Sequence, residues 1–202
     1  MSLGYQLAYR VGITPWEKAG EAAADQFSGL LDREEAARTR PFGRALDLGC
    51  GTGSHTLELA GRGWTAIGID AVERAIGKAR MRPEASRAIF VVGDVTDLGA
   101  AGIEGPVDFF VDVGCFHGLD DQQRAAMGRG VTALSTPTAT MLLLAFRPGG
   151  RPLLPRGADR SDVEQAFPDW TVVSEEPADT TGMPGPLKRT APQWFRLQRV
   201  RR

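Results

Sequence analysis

Short apolar runs recur along the middle of the chain, and segments of mixed polarity separate them. Runs of this length that stay apolar throughout are typical of strands buried on both faces of a parallel sheet. Gly or Pro bounds these runs, as expected where strands end. The pattern therefore predicts five buried strands, with the sequences RALDLG, WTAIGID, AIFVVGD, VDFFVDVG and TATMLLLAF.

The segments between the runs predict helices. We expect helices at residues 54–60, 71–80 and 120–134, and one or two more within residues 15–40, ahead of Pro41. Regular alternation of strands and helices favours a doubly wound α/β sheet, whose first five strands take the order 3-2-1-4-5. After the fifth strand, SDVEQAF predicts a short helix, and WTVVSEE and APQWFRLQRV predict two further strands.

Composition narrows the classes of function. A chain of 202 residues fits one domain, and its 24 basic and 25 acidic residues leave a net charge of −1. Without a basic block we expect no nucleic-acid partner. The apolar runs are strand-sized and the N-terminus shows no secretory pattern, so we expect a cytoplasmic protein with no membrane partner. Two cysteines do not make a disulfide scaffold.

A glycine-rich turn follows the first predicted strand. Gly49, Gly51 and Gly53 stand between that strand and a helix, where glycines let the backbone turn tightly and approach a ligand closely. Dinucleotide-binding turns share this property, but their pattern is Gly-x-Gly-x-x-Gly. Here Ser54 occupies the place of the third glycine of that pattern, so the spacing argues against NAD.

Acidic residues lie at the ends of three successive predicted strands. Asp47 precedes the glycines, where a pyrophosphate is disfavoured and a ligand with an ammonium and a sulfonium is favoured. Asp70 ends the second strand, from which a carboxylate binds ribose hydroxyls. Asp94 ends the third strand, in position to accept a hydrogen bond from an adenine amino group. Each residue alone is also explained as a helix cap or turn residue, but all three together favour S-adenosylmethionine.

The segments ALDLGCGTG, IGID and GDVTDL resemble, in order and spacing, the first three motifs of class I S-adenosylmethionine-dependent methyltransferases. The resemblance covers about residues 41–150. It implies a single Rossmann-like domain at residues 41–202, with seven strands in the order 3-2-1-4-5-7-6 and the last strand antiparallel. Residues 1–40 would form an N-terminal helical cap over the cofactor site. The sequence does not predict the oligomeric state.

The same resemblance assigns the cofactor contacts by position. The methionine portion of S-adenosylmethionine would be cradled by residues of the first motif, Asp47, Gly49, Gly51 and Gly53. Asp70 would hold the ribose, and Asp94 and Val95 would flank the adenine. The expected cofactor contacts are completed by Cys50, Ala71, Gly114 and Cys115.

A segment near the N-terminus, TPWEKAG, resembles the thiopurine, halide/thiol and tellurite-resistance branch of this family, in which an aromatic residue helps to cover the cofactor. The resemblance makes Trp16, together with Tyr9 and Arg10, the candidate lid. Aromatic faces attract a sulfonium or shield it from water. The alternative is that Trp16 packs on the core.

The ending of the fourth predicted strand, VDVGCFHG, repeats that of the first, LDLGCG. Strands one and four are neighbours at the switch point of the sheet, where ligands bind. We therefore expect Cys50 to lie near Cys115, and Phe116 and His117 to contact the substrate. His117 is the candidate catalytic base, because its ordinary pKa of about 6.5 suits neutral pH. The alternative is that it only shapes the pocket, and His55 is expected near the cofactor carboxylate.

Two loops rich in Gly and Pro follow the fifth and sixth strands at this edge. Candidate substrate contacts there are Met183, Arg147, Leu153, Leu154 and Leu187, with ordinary exposed loop positions as the alternative. The lack of a large insertion favours a small-molecule acceptor with an oxygen, sulfur or halide nucleophile, methylated by in-line transfer. The other two hypotheses are an NAD(P)-dependent oxidoreductase and a non-catalytic S-adenosylmethionine-binding protein. No metal site is expected, because two cysteines and a histidine do not complete a zinc set.

Overall fold

The computed structural model describes residues 24–149, 155–183 and 185–200. The strands are β1 (Arg44–Leu48), β2 (Thr65–Asp70), β3 (Ile89–Val92), β4 (Val107–Val113), β5 (Ser135–Ala145), β6 (Trp170–Pro177) and β7 (Gln193–Arg199). The helices are α1 (Ala24–Ala36), α2 (Ser54–Arg62), α3 (Glu73–Arg80), α4 (Asp121–Leu134), α5 (Arg160–Ala166) and α6 (Gly185–Lys188). Short 3-10 turns lie at Ala85–Arg87 and Phe116–Gly118.

All seven strands belong to one sheet, in the order β3-β2-β1-β4-β5-β7-β6. The first five strands are parallel to one another, whereas β7 runs antiparallel to both β5 and β6. This confirms the predicted doubly wound order and the antiparallel last strand. Because β1 and β4 are neighbours, the turns that follow them meet at the carboxyl edge of the sheet.

The two faces of the central strands fill separate cores. Leu46, Leu48 and Phe110 pack on one face together with side chains of α4 and α5. Ala45 and Val111 pack on the other face together with α1 and α2. Since both faces are covered, successive strand residues are all buried, and this is why the strands read as continuous apolar runs.

Helix α1 is an integral part of the second core. Phe27 is fully buried and stacks on Trp194 of β7, with ring centroids 5.9 Å apart. Glu34 is 3 % exposed and pairs with Arg196 of β7 at 2.7 Å and with Arg38 at 2.9 Å. The described part of the expected N-terminal cap is therefore attached to the sheet by apolar packing and by a buried ion-pair network. The expectation for residues 1–23 lies outside the described residues.

The helices differ from the sequence expectations mainly at their ends. Helix α2 continues two residues beyond the predicted stretch, and α3 begins two residues later than predicted. Within the predicted 15–40 segment, the described helix is Ala24–Ala36. The short helix Gly185–Lys188 was not predicted, because Gly and Pro dominate its surroundings. In the described ranges, no helix has the length and apolar character needed to cross a membrane.

Candidate cofactor and acceptor site

The glycine turn after β1 is a tight cradle of backbone. Gly49, Gly51 and Gly53 have φ values of +73°, +54° and +82°, which L side chains rarely adopt. A β-carbon on Gly49 would lie 2.6 Å from Cβ of Cys115, and one on Gly53 would lie 2.6 Å from Cε1 of Phe90. The turn therefore requires glycine both for its conformation and for its close packing.

Asp47 lies beneath this turn. Its side chain is 1 % exposed and accepts a hydrogen bond of 2.6 Å from the hydroxyl of Thr56 on α2. Burial raises the pKa of Asp47 to about 7, and the nearby Asp70 carboxylate adds to the shift. From this position the carboxylate joins β1 to α2 and can act through its field on a bound cation. Direct contact with the ammonium of the cofactor stays a prediction.

Asp70 connects the glycine turn with the loop after β2. One carboxylate oxygen accepts the N–H of Gly51 at 2.9 Å, and the other accepts the N–H of Val72 at 2.8 Å. Burial raises the pKa of Asp70 above its ordinary value. Each carboxylate oxygen can accept more than one hydrogen bond, so lone pairs remain for ribose hydroxyls. The neighbouring Ala71 is half-buried.

The third acidic position is the most open of the three. Asp94 is exposed, and one of its oxygens accepts the N–H and the hydroxyl of Thr96 at 2.9 and 2.8 Å. The other oxygen has no partner among the described side chains and backbone groups. Val95 is 6 % exposed and packs into the core. These two residues thus offer an acceptor and a firm backbone at the edge of the site.

The turn after β4 is held by a second buried carboxylate. Asp112 accepts the N–H of Cys115 at 2.9 Å and the N–H of Phe116 at 3.0 Å. Burial raises its pKa to about 7, with a contribution from the charge of Asp47. Because Leu48 pairs with Asp112 in the parallel register, Asp47 and Asp112 point to opposite faces of the sheet. The repeated Asp therefore holds helix α2 on one face and the turn after β4 on the other.

The two cysteines flank the meeting point of these turns. Cys115 lies against Gly49, whereas Sγ of Cys50 lies 2.8 Å from where Gly68 would carry a β-carbon. Both thiols are free, and burial raises the pKa of each well above its ordinary value. Cys115 thus contacts the residue that precedes Cys50, but the two side chains pack against different neighbours.

Phe116, on the turn after β4, packs in the hydrophobic core. It is fully buried in the core, with its ring centroid 5.8 Å from that of Phe167 and 4.9 Å from the guanidinium carbon of Arg124. The direction of the Phe116 side chain depends on the conformation of the short 3-10 turn, and the local sequence CFHG does not predict it. The expected substrate contact at Phe116 stays a prediction, and the contacts described here are those of a core residue.

His117 lies at the other side of the same turn. Nδ1 accepts the backbone N–H of Phe146 at 3.1 Å, and the two rings stack with centroids 4.3 Å apart. The side chain is buried at 2 % exposure, and its ring edge faces Gly114. Burial lowers the pKa of His117 to about 3, and the charge of Arg124 adds to the effect. A neutral imidazole is the form that this environment favours.

Behind His117 lies a small apolar cluster made of Phe146, Met183 and Leu187. Met183 and Leu187 are each 6 % exposed, so they form a wall, whereas Arg147 is exposed. The structure therefore connects Met183 to the candidate acceptor side through Phe146.

The predicted contacts of His55 and of five further residues with the site stay predictions. His55 is half-buried and contacts the ring of Phe27 edge-on at 4.6 Å, so it packs on α1. Burial lowers its pKa to about 4. The other candidates lie outside the described residues, namely Tyr9, Arg10, Trp16, Leu153 and Leu154.

Comparison with known proteins assigns the family. The family model for a methyltransferase domain matches residues 45–137. A Schizosaccharomyces pombe protein named as an uncharacterized methyltransferase is 30% identical over 103 residues, which cover 50% of this chain and 70% of the relative. The chain belongs to the class I S-adenosylmethionine-dependent methyltransferases. S-adenosylmethionine is therefore its cofactor.

Two further similarities extend this assignment. The 2-heptyl-1-hydroxyquinolin-4(1H)-one methyltransferase of Mycobacteroides abscessus is 31% identical over 105 residues, or 52% of this chain. The match spans only 46% of that relative, so the chain covers about half of its length. The N-methyltransferase NodS of Bradyrhizobium japonicum, solved with S-adenosylhomocysteine, has a TM-score of 0.70 at 18% identity, covering 87% of this chain and 86% of NodS. This second similarity shows the shared fold.

The methyltransferase cradle fits its cofactor. Asp70 accepts an N–H of the turn and Asp47 is buried near Asp70, while Asp94 follows β3 at the same edge of the sheet. The glycines of the turn leave no side chain in the way. Such a set of carboxylates suits a ligand with a sulfonium, an ammonium and ribose hydroxyls better than a pyrophosphate, which the carboxylates would repel.

Three residues that shape this edge were not anticipated. Phe146 ends the fifth apolar run, so its place beside the fourth-strand turn followed from the strand order and could have been inferred. Thr56 and Arg124 are buried polar residues on helices, at 0 % and 2 % exposure. Nothing in the local pattern distinguishes them from exposed helix positions.

Proposed function

We propose that the chain is a small-molecule methyltransferase that transfers the methyl group of S-adenosylmethionine to an acceptor bound beside His117. The observation that carries the proposal is the meeting of two turns at one sheet edge. The glycine turn bears the cofactor features, and the turn after β4 lies against it through Gly49 and Cys115. A donor held by the first turn would therefore present its methyl group to the second.

Each residue of the cradle has a separate task in this proposal. The glycine turn binds the methionine portion through its backbone, Asp70 binds the ribose, and Asp94 with Val95 borders the adenine. The carboxylate of Asp47, which lies under the glycine turn, attracts the positively charged groups of the cofactor. The bound cofactor supplies an electrophilic methyl group, and the residues around it align the acceptor and exclude water.

A small organic acceptor is supported by the relative from Mycobacteroides abscessus, whose name gives a hydroxyquinolone as its substrate. The apolar wall of Phe146, Met183 and Leu187 agrees with an acceptor that has an apolar body. Transfer in line with the carbon–sulfur bond, to an oxygen, sulfur or halide nucleophile, is part of the proposal.

The test is a methyltransferase assay with S-adenosylmethionine across thiols, halides, phenols and carboxylic acids, with S-adenosylhomocysteine as the measured product. We expect turnover with at least one of these classes. Calorimetric titration of S-adenosylmethionine and, separately, of NADH accompanies the assay. Binding of NADH alone would overturn the proposal in favour of an oxidoreductase, and cofactor binding without turnover on any acceptor would favour a non-catalytic module.

A further inference from the structure

The proton on His117 can be assigned from its hydrogen bond. Nδ1 lies 3.1 Å from the backbone nitrogen of Phe146, which is always a donor. A neutral imidazole has one donor and one acceptor nitrogen, so Nδ1 is the acceptor and the proton is on Nε2. Burial and the charge of Arg124 hold the pKa of the ring at about 3, which keeps it in this neutral form at physiological pH.

The donor nitrogen is directed towards the carboxyl end of β4. A β-carbon on Gly114 would lie 3.3 Å from Cε1 and 3.7 Å from Nε2 of His117, so this edge of the ring lies against Gly114, the residue that follows β4. Within residues 24–149, 155–183 and 185–200, Nε2 has no hydrogen-bond partner. The imidazole therefore offers an N–H, and no lone pair, to a molecule bound there.

The other titratable groups packed around His117 do not supply a base either. Both oxygens of Asp112 accept backbone N–H groups of the turn, on the core face of β4. Cys115, on the same turn, is a thiol whose pKa burial raises well above its ordinary value. Arg124 is a cation paired with Asp162 at 3.0 Å, and Arg147, next to Phe146, is exposed and cationic.

The turn that carries His117 is also fixed in place. Arg124 donates from Nε to the carbonyl of Phe116 at 3.3 Å and from its terminal nitrogen to the carbonyl of Gly157. Gly157 in turn donates its N–H to the carbonyl of His117 at 3.1 Å. Because these contacts hold the backbone on both sides of the ring, a rotation that exchanged the two imidazole nitrogens would break the bond to Phe146.

Resting on the proposed function, we propose that His117 is a hydrogen-bond donor to the acceptor and not its base, so that the site takes small organic acceptors whose nucleophilic atom is already anionic. Thiolates and the oxyanions of acidic phenols or N-hydroxy heterocycles have this chemistry. The Nε2–H orients the anion, or an oxygen next to it, beside the methyl group.

The protons and electron pairs of the methyl transfer are accounted for without a base on the protein. The acceptor loses its proton to the solvent before it binds, and its lone pair then forms the bond to the methyl carbon. The carbon–sulfur bond breaks, and its electron pair stays on the sulfur, which becomes the neutral thioether of S-adenosylhomocysteine. The proton on Nε2 remains on His117 throughout.

The test uses para-substituted thiophenols and phenols whose own pKa values span several units around neutral pH. We expect the midpoint of the pH profile of kcat/KM to follow the pKa of each acceptor. Aliphatic alcohols and primary aryl amines should not be methylated. A midpoint that stays at one value for every acceptor, or methylation confined to the neutral compounds, would overturn the inference.

Two variants separate donation from packing. His117→Gln retains an amide donor and a carbonyl acceptor, whereas His117→Phe keeps the stacking on Phe146 and removes both. We expect the Phe variant to lose about tenfold to a hundredfold in kcat/KM and the Gln variant to lose less, because a hydrogen bond to a charged group is at stake. Equal activity of wild type and a folded Phe variant contradicts the inference.

Cofactor titration distinguishes the two proposals. All three proteins should bind S-adenosylmethionine with similar affinity, since His117 acts on the acceptor. Absence of binding by the wild type would refute the proposed function itself. Normal binding together with an acceptor-independent pH profile, or with methylation of neutral acceptors only, would refute only the inference about His117.

Discussion

Cys115 fills the space that a side chain on Gly49 would need. A β-carbon on Gly49 would lie 2.6 Å from Cβ and 2.9 Å from Sγ of Cys115, closer than real β-carbons approach their neighbours. Gly49 also has a φ of +73°. The turns after β1 and β4 are therefore in direct contact, and the fit between them depends on the absence of one side chain.

Gly49→Ala should destabilise the protein by about 2 to 4 kcal/mol, because a left-handed alanine and an overpacked contact each cost on the order of 1 to 3 kcal/mol. The free energy of unfolding in urea measures this loss. Cys115→Gly in the Gly49→Ala background should recover part of it by removing the clash but not the backbone strain.

Gly29→Ala is the matched control for this prediction. Gly29 occupies an exposed position of α1, and a β-carbon added there would have nothing within 4 Å. Alanine at this position should leave stability unchanged or raise it by up to about 1 kcal/mol, because alanine favours helix over glycine. If Gly49→Ala unfolds at the same urea concentration as wild type, the close contact with Cys115 is wrong.

The strand order was predictable because it follows from the hydrophobicity of short segments and from the order of strands and helices along the chain. Runs such as VDFFVDVG are apolar at every position only if both faces are covered, and the alternation with helices then leaves few topologies. The glycine turn was predictable for a related reason, since only glycine readily adopts the positive φ values found there.

The direction of single side chains in the fourth-strand turn was not predictable. Phe116 and His117 are adjacent and both buried, and the neighbours that each one meets depend on the local twist of a three-residue 3-10 turn and on Arg124 from a neighbouring helix. The tautomer of His117 depends on the backbone of Phe146, 29 residues further along the chain. Long-range contacts of this kind leave no periodic signal in the sequence.

Asp70→Ala should weaken the binding of S-adenosylmethionine by about tenfold to a hundredfold, because hydrogen bonds to a charged group contribute about 1.5 to 3 kcal/mol. The variant removes the ribose acceptor and also the acceptor for the N–H groups of Gly51 and Val72. Calorimetric titration gives the dissociation constant. Glu164→Gln, on the exposed face of α5, is the control and should bind like wild type. Wild-type affinity of Asp70→Ala would show that the cofactor is held elsewhere.

Glu34→Gln should cost about 1 to 3 kcal/mol, because it removes the buried carboxylate that pairs with the half-buried Arg38 and Arg196. Glu34 accepts hydrogen bonds from Arg196, Arg38 and the hydroxyl of Thr140. The exposed pair between Arg33 and Glu176 joins the same helix to β6 and serves as the control. Glu176→Gln should cost below about 1 kcal/mol. Equal losses in the two variants would mean that α1 is not attached through the buried network.

Arg124→Met should lower kcat/KM for the acceptor and leave the affinity for S-adenosylmethionine unchanged, since Arg124 contacts the carbonyls of Phe116 and Gly157 and not the glycine turn. Steady-state kinetics with titration of the cofactor separates the two effects. Arg129→Met, at an exposed position of the same helix, should retain wild-type kinetics. A parallel loss of cofactor affinity in Arg124→Met would indicate a general loss of structure.

The buried carboxyl of Asp47 should make the folded protein less stable as the pH rises, which is opposite to the effect of a carboxyl whose pKa is lowered by folding. Burial raises its pKa from 3.8 to about 7, so the folded protein holds this proton more tightly than the unfolded chain. Between these two pH values the folded state binds more protons than the unfolded chain does. The contribution of Asp47 to the free energy of unfolding therefore falls as the pH rises. The neutral histidines His55 and His117 act in the opposite sense, because their pKa values are lowered.

Because these contributions oppose each other, the pH dependence of wild-type stability does not isolate Asp47. The difference in free energy of unfolding between wild type and a variant at Asp47 does. Asp47→Asn keeps an acceptor for Thr56 and cannot ionise, so its stability relative to wild type should rise from pH 4 to pH 7, by about 1.4 kcal/mol for each unit of the pKa shift, and then level off. Thr56→Val keeps the carboxyl but removes the hydrogen bond that lowers its pKa, so its stability should fall with rising pH as in wild type, over a range that extends to higher pH. Urea unfolding at several pH values measures both. A stability difference that does not change with pH would mean that Asp47 is already ionised at low pH in the folded protein, with a cation or donor near it that the present contacts do not include.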